Sequence, residues 1–347
     1  MTKGITRRGV GITLGAALAA PPRIALAKDK LTVVMSSFDL LFWGTLTAQE
    51  LGFFGQQDLE VELVRAGGGA RSLATVAGGD AHFNIGAPSS AFRARARGSD
   101  VTLIAPAIAQ YTDNVTMSEA WARRNNLTPN SSLEEKLRAL RGMTLAVSSV
   151  GGGADQLLRF LCKQAGLNPD RDLTMTAIPE GAGMLAAMSR GRIDGFVIPP
   201  PTGDDAIRNH GARPMFTPGR GEIPALNGFV YIGVIARESW LRRNREVAIR
   251  FLRAHQAALD VIHDPARTNT ARDAIWNRYQ QRTEKALFDS IWENAAPSYP
   301  QNVSLESSMI DRIVAFVNET QAEPLDRRGA EAAWTNEYAA QALARPA

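Results

Sequence analysis

Met143-Thr144-Leu145-Ala146-Val147-Ser148-Ser149-Val150-Gly151-Gly152-Gly153-Ala154-Asp155 runs directly into Gln156-Leu157-Leu158-Arg159-Phe160-Leu161-Cys162-Lys163-Gln164-Ala165-Gly166. An apolar run rich in strand formers stops at two serines and three glycines, and Leu157, Leu158, Leu161 and Ala165 then recur at helix spacing. The reading is strand, tight turn, helix. Such a junction leaves the first backbone N–H groups of the helix without partners and adds the partial positive charge of the helix dipole. A small polar or anionic ligand suits that end. The glycines allow close approach to the backbone, and Ser148 and Ser149 supply hydroxyl groups. The same pattern also serves as a plain strand-to-helix turn with no ligand. It has neither the GxGxxG spacing of a dinucleotide site nor a GxxxxGK[ST] phosphate loop.

Outward from this stretch, the N-terminus carries Thr6-Arg7-Arg8-Gly9, a weakly apolar run from Gly11 to Ala20, and Ala25-Leu26-Ala27. A basic region, a short apolar region and an A-x-A site have the anatomy of an export signal over residues 1–27, cleaved after Ala27. The paired arginines suggest the twin-arginine route. The other reading, a membrane anchor, needs about 20 apolar residues, which the stretch does not supply. Lys3, Arg7, Arg8 and Arg23 account for the whole formal charge of +4, because without them 35 basic residues face 35 acidic ones. The basic balance is therefore no argument for nucleic acid or membrane binding. Cys162 is the only cysteine, which excludes an intramolecular disulfide and a cysteine metal cluster; its helix neighbours make it a packing residue. Four histidines without metal-ligand spacing give no zinc site, and no cofactor is implied. The roughly 320 residues after the signal exceed what one core usually holds, so two lobes are expected.

Strand and helix patterns alternate from Lys30 to Ala105, as in an α/β fold with a mainly parallel sheet. The rhythm restarts beyond Tyr111. Ser131 with Glu134 and Ser132 with Glu135 offer two overlapping capping boxes. The central stretch follows, then strands at Asp172 to Ile178 and Gly195 to Ile198, with a helix at Met184 to Ser189 between them. Gly79 to Pro88 aligns without gaps with Gly191 to Pro200, each a helix end, a short strand and a proline turn. This echo suggests lobes of similar topology. Gly228 to Ile235 reads as an apolar strand returning to the first lobe. Beyond Glu238 the pattern is helical: Val247 to Ile262, Ala271 to Tyr279, Lys285 to Trp292, Met309 to Val317 and Gly329 to Leu343, with aromatic and Arg stripes read as core and solvated faces.

Several loose motifs in order carry a resemblance: Leu51-Gly52-Phe53-Phe54 followed by Asp58-Leu59-Glu60-Val61-Glu62, the turn Gly67-Gly68-Gly69, Gly79-Asp80 and Gly191 with Asp194, Arg141-Gly142-Met143-Thr144, and Lys163-Gln164-Ala165-Gly166-Leu167. Together they resemble the exported periplasmic solute-binding proteins of ABC importers, in the branch serving nitrate, sulfonate, taurine and thiamine-precursor substrates. The resemblance implies the type II periplasmic binding protein fold, two α/β lobes joined by two crossovers near Pro106 to Tyr111 and Ala225 to Phe229. Lobe 1 would comprise residues 28–110 and 228–347, with the C-terminal helices, and lobe 2 residues 111–227. It further implies a periplasmic monomer that captures a small solute and delivers it to a membrane permease, with no catalysis and no metal.

Ligands of this architecture bind beyond the carboxyl ends of strands. Carried over position by position, one wall is Ser36, Ser37, Phe38 and Asp39 with Gly68 and Ser89, and Trp43 is a further candidate. The other wall is Ser148, Ser149, Gly152, Gly153, Ala154 and Asp155, with Glu180 and Pro200. Serines also cap helices and prolines shape turns in any protein. His82 departs from the family's usual Asp, and Gly151 to Gly153 replace its hydroxyl residues. No Arg or Lys falls in an expected cleft loop, whereas Asp39, Asp155 and Glu180 do, and three carboxylates oppose an anion. The expected ligand is neutral or amine-bearing, stacked on Phe38 or Trp43 with a carboxylate accepting its N–H groups. Two rivals stand beside this reading. One is an enzyme on the same fold, a desulfinase or pyrimidine synthase, which needs a cleft Cys nucleophile or a His and Cys arrangement. The other is a receptor feeding a membrane sensor kinase.

Overall fold

Residues 1–2, 28–128, 130–320 and 324–344 are described by a computed structural model, so the expected export signal over residues 1–27, beyond its first two residues, lies outside the described part. The chain builds two five-stranded sheets. β1 (Asp29–Met35), β2 (Leu59–Arg65), β3 (Phe83–Gly86) and β4 (Val101–Ile108) form the first. β5 (Asn114–Met117), β6 (Thr144–Val147), β7 (Thr174–Ala177), β8 (Gly195–Ile198) and β9 (Arg213–Phe216) form the second. The chain then returns through β10 (Ile232–Arg237) to the first sheet. The strand orders are β2-β1-β3-β10-β4 and β7-β6-β8-β5-β9.

These orders are the same pattern. In each sheet three strands run parallel, and the fourth place is taken by an antiparallel strand: β10 in the first, β5 in the second. β4 and β9, at the edges, are antiparallel to β10 and β5 in turn, so four of the five strands in each sheet share one direction, and each sheet is mainly parallel with one reversed strand. The expected echo falls at equivalent places, since Gly79 to Pro88 leads through β3 and Gly191 to Pro200 through β8. A matching side-chain bond anchors both. The Thr32 N–H donates to His82 Nδ1 at 2.9 Å, and the Thr144 N–H donates to Asp194 Oδ2 at 2.9 Å. His82 thus does for the first sheet what Asp194 does for the second.

β2 keeps its acidic alternation on one wet face, with Leu59 and Val61 buried and Glu60 and Glu62 exposed. Of the two capping boxes only the second forms. Glu135 N–H donates to Ser132 Oγ at 3.2 Å and Ser132 N–H to Glu135 Oε2 at 2.7 Å, while Ser131 Oγ accepts from the Thr128 N–H. β5 and β9 are four-residue strands that the sequence pattern did not announce. Beyond β10 the described chain is helical, led by Arg245–His263, whose Phe251 stacks on Phe83 of β3 at 4.0 Å. The expected Gly329 to Leu343 helix is two, Arg327–Glu331 and Glu337–Leu343. The one expected at Ala271 to Tyr279 is Thr268–Ile275 followed by a π-helical turn, Trp276–Gln280. The Ser307–Thr320 helix packs on both lobes, touching the Pro88–Ala96 and Gly153–Gln164 helices, with Phe316 5.4 Å from Phe160.

Candidate functional site

A cleft of about 680 Å³ lies between the two sheets' loop ends. The central stretch folds as its pattern requires: β6 ends at Val147, and a helix runs from Gly153 to Gln164 with Gly152 at its cap and no side chain capping it. Ser148, Gly153 and Ala154 line the cleft from this side, and Ser36 to Asp39, after β1, line it from the other. Eight of the fifteen positions named from the sequence line the cleft: Ser36, Ser37, Phe38, Asp39, Ser148, Gly153, Ala154 and Glu180.

The other seven sit elsewhere, each for a physical reason. Trp43 is fully buried in the core, stacked on Trp292 at 5.2 Å and against Phe288 at 4.9 Å, so it offers no face to a ligand. Asp155 is 1% exposed and held by its own helix and the turn before it, accepting from Arg159 at 3.0 Å and from the Gly151 N–H at 3.1 Å. Ser89 donates to Gln156, behind the cleft. The Pro200 carbonyl accepts the Leu40 N–H across the lobes at 3.4 Å. Gly68, Ser149 and Gly152 meet one another. A Cβ on Gly68 would stand 2.8 Å from Ser149 Cβ, and one on Gly152 would stand 2.7 Å from Ser149 Oγ. The two glycine turns therefore form a seam where backbone meets backbone, which side chains would hold apart.

Other residues come to the cleft that sequence reasoning missed. Arg65, at the end of β2, reaches Glu180 across the lobes at 3.3 Å, and Arg278 and Arg282 line a third wall formed by the segment 276–283. The expectation of a cleft without basic residues is thus overturned. The helix expected over Ala271 to Tyr279 gives way at Trp276 to a π-helical turn, which brings Arg278, Tyr279 and Gln280 to the cleft. Gln280 Nε2 donates to the Phe38 carbonyl at 2.7 Å, and the Tyr279 ring meets Phe38 edge-on at 5.4 Å. Phe38 therefore lines the cleft with its own ring supported from behind.

Asp113 and Tyr231 are the other missed pair. Both connections between the sheets contribute here: Tyr111 and Asp113 lie between β4 and β5, and Tyr231 just before β10. The Tyr111 and Tyr231 rings stack at 3.8 Å, Tyr111 donates to the Gly153 carbonyl at 2.6 Å, and Tyr231 donates to Asp113 Oδ2 at 2.5 Å. Burial pushes the Asp113 carboxyl up to about 7, partly offset by the Tyr231 hydrogen bond, with the Asp39 charge adding to the rise. Burial also pushes Asp39 up to about 7, against the lowering bonds from Ser37 and the Leu41 N–H. Among the described residues no group of three His, Cys, Asp or Glu side chains could hold a metal ion. Cys162 is fully buried and does not line the cleft, and burial pushes its thiol up to about 12.

Residues 44–275 match the model of the NMT1-like family, well over half of the chain. The chain belongs to that family. No curated protein matches it. Solved structures share the NMT1-like protein's fold at low identity. A Bordetella bronchiseptica protein is 17% identical, with 91% of this chain and 97% of that one covered and a TM-score of 0.78. The periplasmic nitrate-binding protein NrtA of Synechocystis PCC 6803 is 14% identical, with 92% and 90% covered and a TM-score of 0.71. The ligand-binding component of an ABC-type import system from Staphylococcus aureus, solved with zinc bound, is 14% identical, with 91% and 99% covered and a TM-score of 0.69. The fold is that of periplasmic binding proteins.

Proposed function

We propose that this NMT1-like protein is the solute-binding component of an ABC importer, exported to the periplasm, where it captures a small organic solute and delivers it to a membrane permease. The observation that carries the reading is the interlobe cleft, with the loop after β1 on one side and the Gly153 helix start on the other. A solute bridging both walls would stabilise the closed arrangement by its differential affinity, and the permease would read that arrangement. The solute we favour bears N–H donors, because Asp39, Asp113, Glu180 and Asp205 line the cleft. Arg65, Arg278 and Arg282 on its other walls leave room for a polar or anionic far end.

The enzyme reading has little to work with. A Cys162 thiol pushed up to about 12, outside the cleft, supplies almost no thiolate at neutral pH. Isothermal calorimetry against aminopyrimidines, taurine, alkanesulfonates and nitrate tests the solute class. Tight binding of taurine or nitrate, with none of the amines, would reverse it. Stimulation of ATP hydrolysis by the cognate permease in proteoliposomes tests the delivery step, and activation of a sensor kinase in place of that would replace it.

A further inference from the structure

Asp113 is 1% exposed, lines the cleft, and has one carboxylate oxygen engaged: Tyr231 donates to Oδ2 at 2.5 Å, while Oδ1 is buried without a partner. A carboxylate oxygen buried without a donor is costly, and a native protein carries one where something else completes it. Asp39 lines the same cleft from the first lobe, held by the Ser37 hydroxyl and the Leu41 N–H. Among the described residues no Lys or Arg pairs with either carboxyl, and the Asp39 charge adds to the rise that burial gives Asp113.

We propose that Asp39 and Asp113 together receive a cationic, N–H-bearing head group of the solute, and that its capture displaces a proton the pair retains in the unliganded protein. This rests on the solute-binding reading above and names the chemistry of the solute's recognised end. An amidinium or protonated aminated ring offers two N–H donors, one for each wall, and a charge that lets both carboxyls ionise. Burial holds both near pH 7 without that cation. Tyr111, Tyr231 and Tyr299 face the pair, and each hydroxyl is raised well above its ordinary range, so they stay protonated while the carboxyls titrate. The other charged groups lining the cleft are Arg65, Glu180, Asp205, Arg278 and Arg282.

The test uses three probes of one shape and different charge: benzamidine, benzamide and benzenesulfonate. Calorimetry between pH 5.5 and 8 should show benzamidinium affinity rising with pH, by up to about tenfold per unit for one displaced proton, and levelling off above the carboxyl midpoint. Its heat should vary with the ionisation enthalpy of the buffer. Asp113→Asn, checked for folding by circular dichroism, should bind at least about tenfold more weakly and show a shallower pH slope, the part that remains belonging to Asp39. Independently of any ligand, carbon-13 NMR of labelled aspartate carboxyls should show Asp113 titrating near neutral pH and moving lower in Asp39→Asn. Benzamidinium that fails to bind, binds equally well to Asp113→Asn, or binds without pH dependence would overturn the proposal, as would both carboxyls titrating near 4. Benzenesulfonate binding without benzamidinium binding would overturn it while leaving the solute-binding role standing.

Discussion

The hydroxyl of Tyr111, in the first connection between the lobes, donates to the main-chain carbonyl of Gly153, the first residue of the second-lobe helix at the cleft, at 2.6 Å. The connection is thereby tied to the cleft wall itself. Tyr111 is buried and stacked on Tyr231, so Tyr111→Phe keeps the ring packing and removes one hydrogen bond. The carbonyl left behind costs about 1–3 kcal/mol. Urea unfolding should show a loss of that size, and a variant with an unchanged midpoint would contradict the assignment.

Gly153 has no room for a side chain. A Cβ there would stand 2.6 Å from the Tyr231 hydroxyl and 2.7 Å from the same ring's Cε2. Gly153→Ala must displace the Tyr231 ring, and with it the donor to Asp113 Oδ2. We expect a destabilisation of about 1–3 kcal/mol from overpacking, together with weaker solute binding. A Gly153→Ala protein with unchanged melting temperature and unchanged affinity would show that the ring yields freely.

The bond from Thr32 N–H to His82 Nδ1 requires that nitrogen to be unprotonated, so the imidazole is neutral with its proton on Nε2. Burial lowers its pKa. The stability it contributes is present above the ordinary histidine range and is lost as pH falls through the lowered value. His82→Ala should cost about 1–3 kcal/mol, because the strand N–H is left without its acceptor. His82→Asp should recover most of that, since Asp194 already plays this part in the second lobe. Equal destabilisation by both substitutions, read from urea midpoints at pH 7.5, would contradict the equivalence.

The two cleft carboxyls set the opposite limb. Asp39 and Asp113 sit at about 7 in the folded protein, above the usual carboxylate value of 3.8, so folding favours their protonated forms. Their contribution is complete below about 3.8 and is lost as pH rises through 7. His255, buried and lowered to about 4, contributes above its ordinary 6.5 and loses that as pH falls through 4. Urea midpoints at pH 5 and pH 8 should therefore fall less in Asp113→Asn than in the wild type. Parallel pH profiles for the two proteins would remove Asp113 from the account.

What the sequence made legible was local. The strand, glycine turn and helix around Ser148 follow from adjacent residues, and so does the capping box at Ser132 and Glu135. The echo between Gly79 to Pro88 and Gly191 to Pro200 marked equivalent strands in two sheets of one pattern. What it hid was made by distance along the chain. Trp43 is taken out of the cleft by Trp292, and Asp113 is buried and oriented by Tyr231. Asp155 did carry a local signal, since Arg159 four residues on is its partner. Arg278 and Arg282 were hidden by a π-helical turn, whose five-residue step breaks the 3.6 periodicity on which helix faces are read. β5 and β9 escape notice because Asn114-Val115-Thr116-Met117 and Arg213-Pro214-Met215-Phe216 lack a run of strand formers bounded by a glycine turn and helix.

The central claim, that the cleft between the Ser36 to Asp39 loop and the Gly153 helix start holds one small solute, is tested most directly by native mass spectrometry. The full chain would be produced, recovered gently, and compared with Ser148→Trp, whose added ring fills the cleft wall. The account predicts a one-to-one complex with a small organic molecule, released on mild unfolding and missing from Ser148→Trp. A small molecule retained equally by the folded Ser148→Trp variant, or wild-type protein that takes up no solute even from a concentrated metabolite extract, would contradict it.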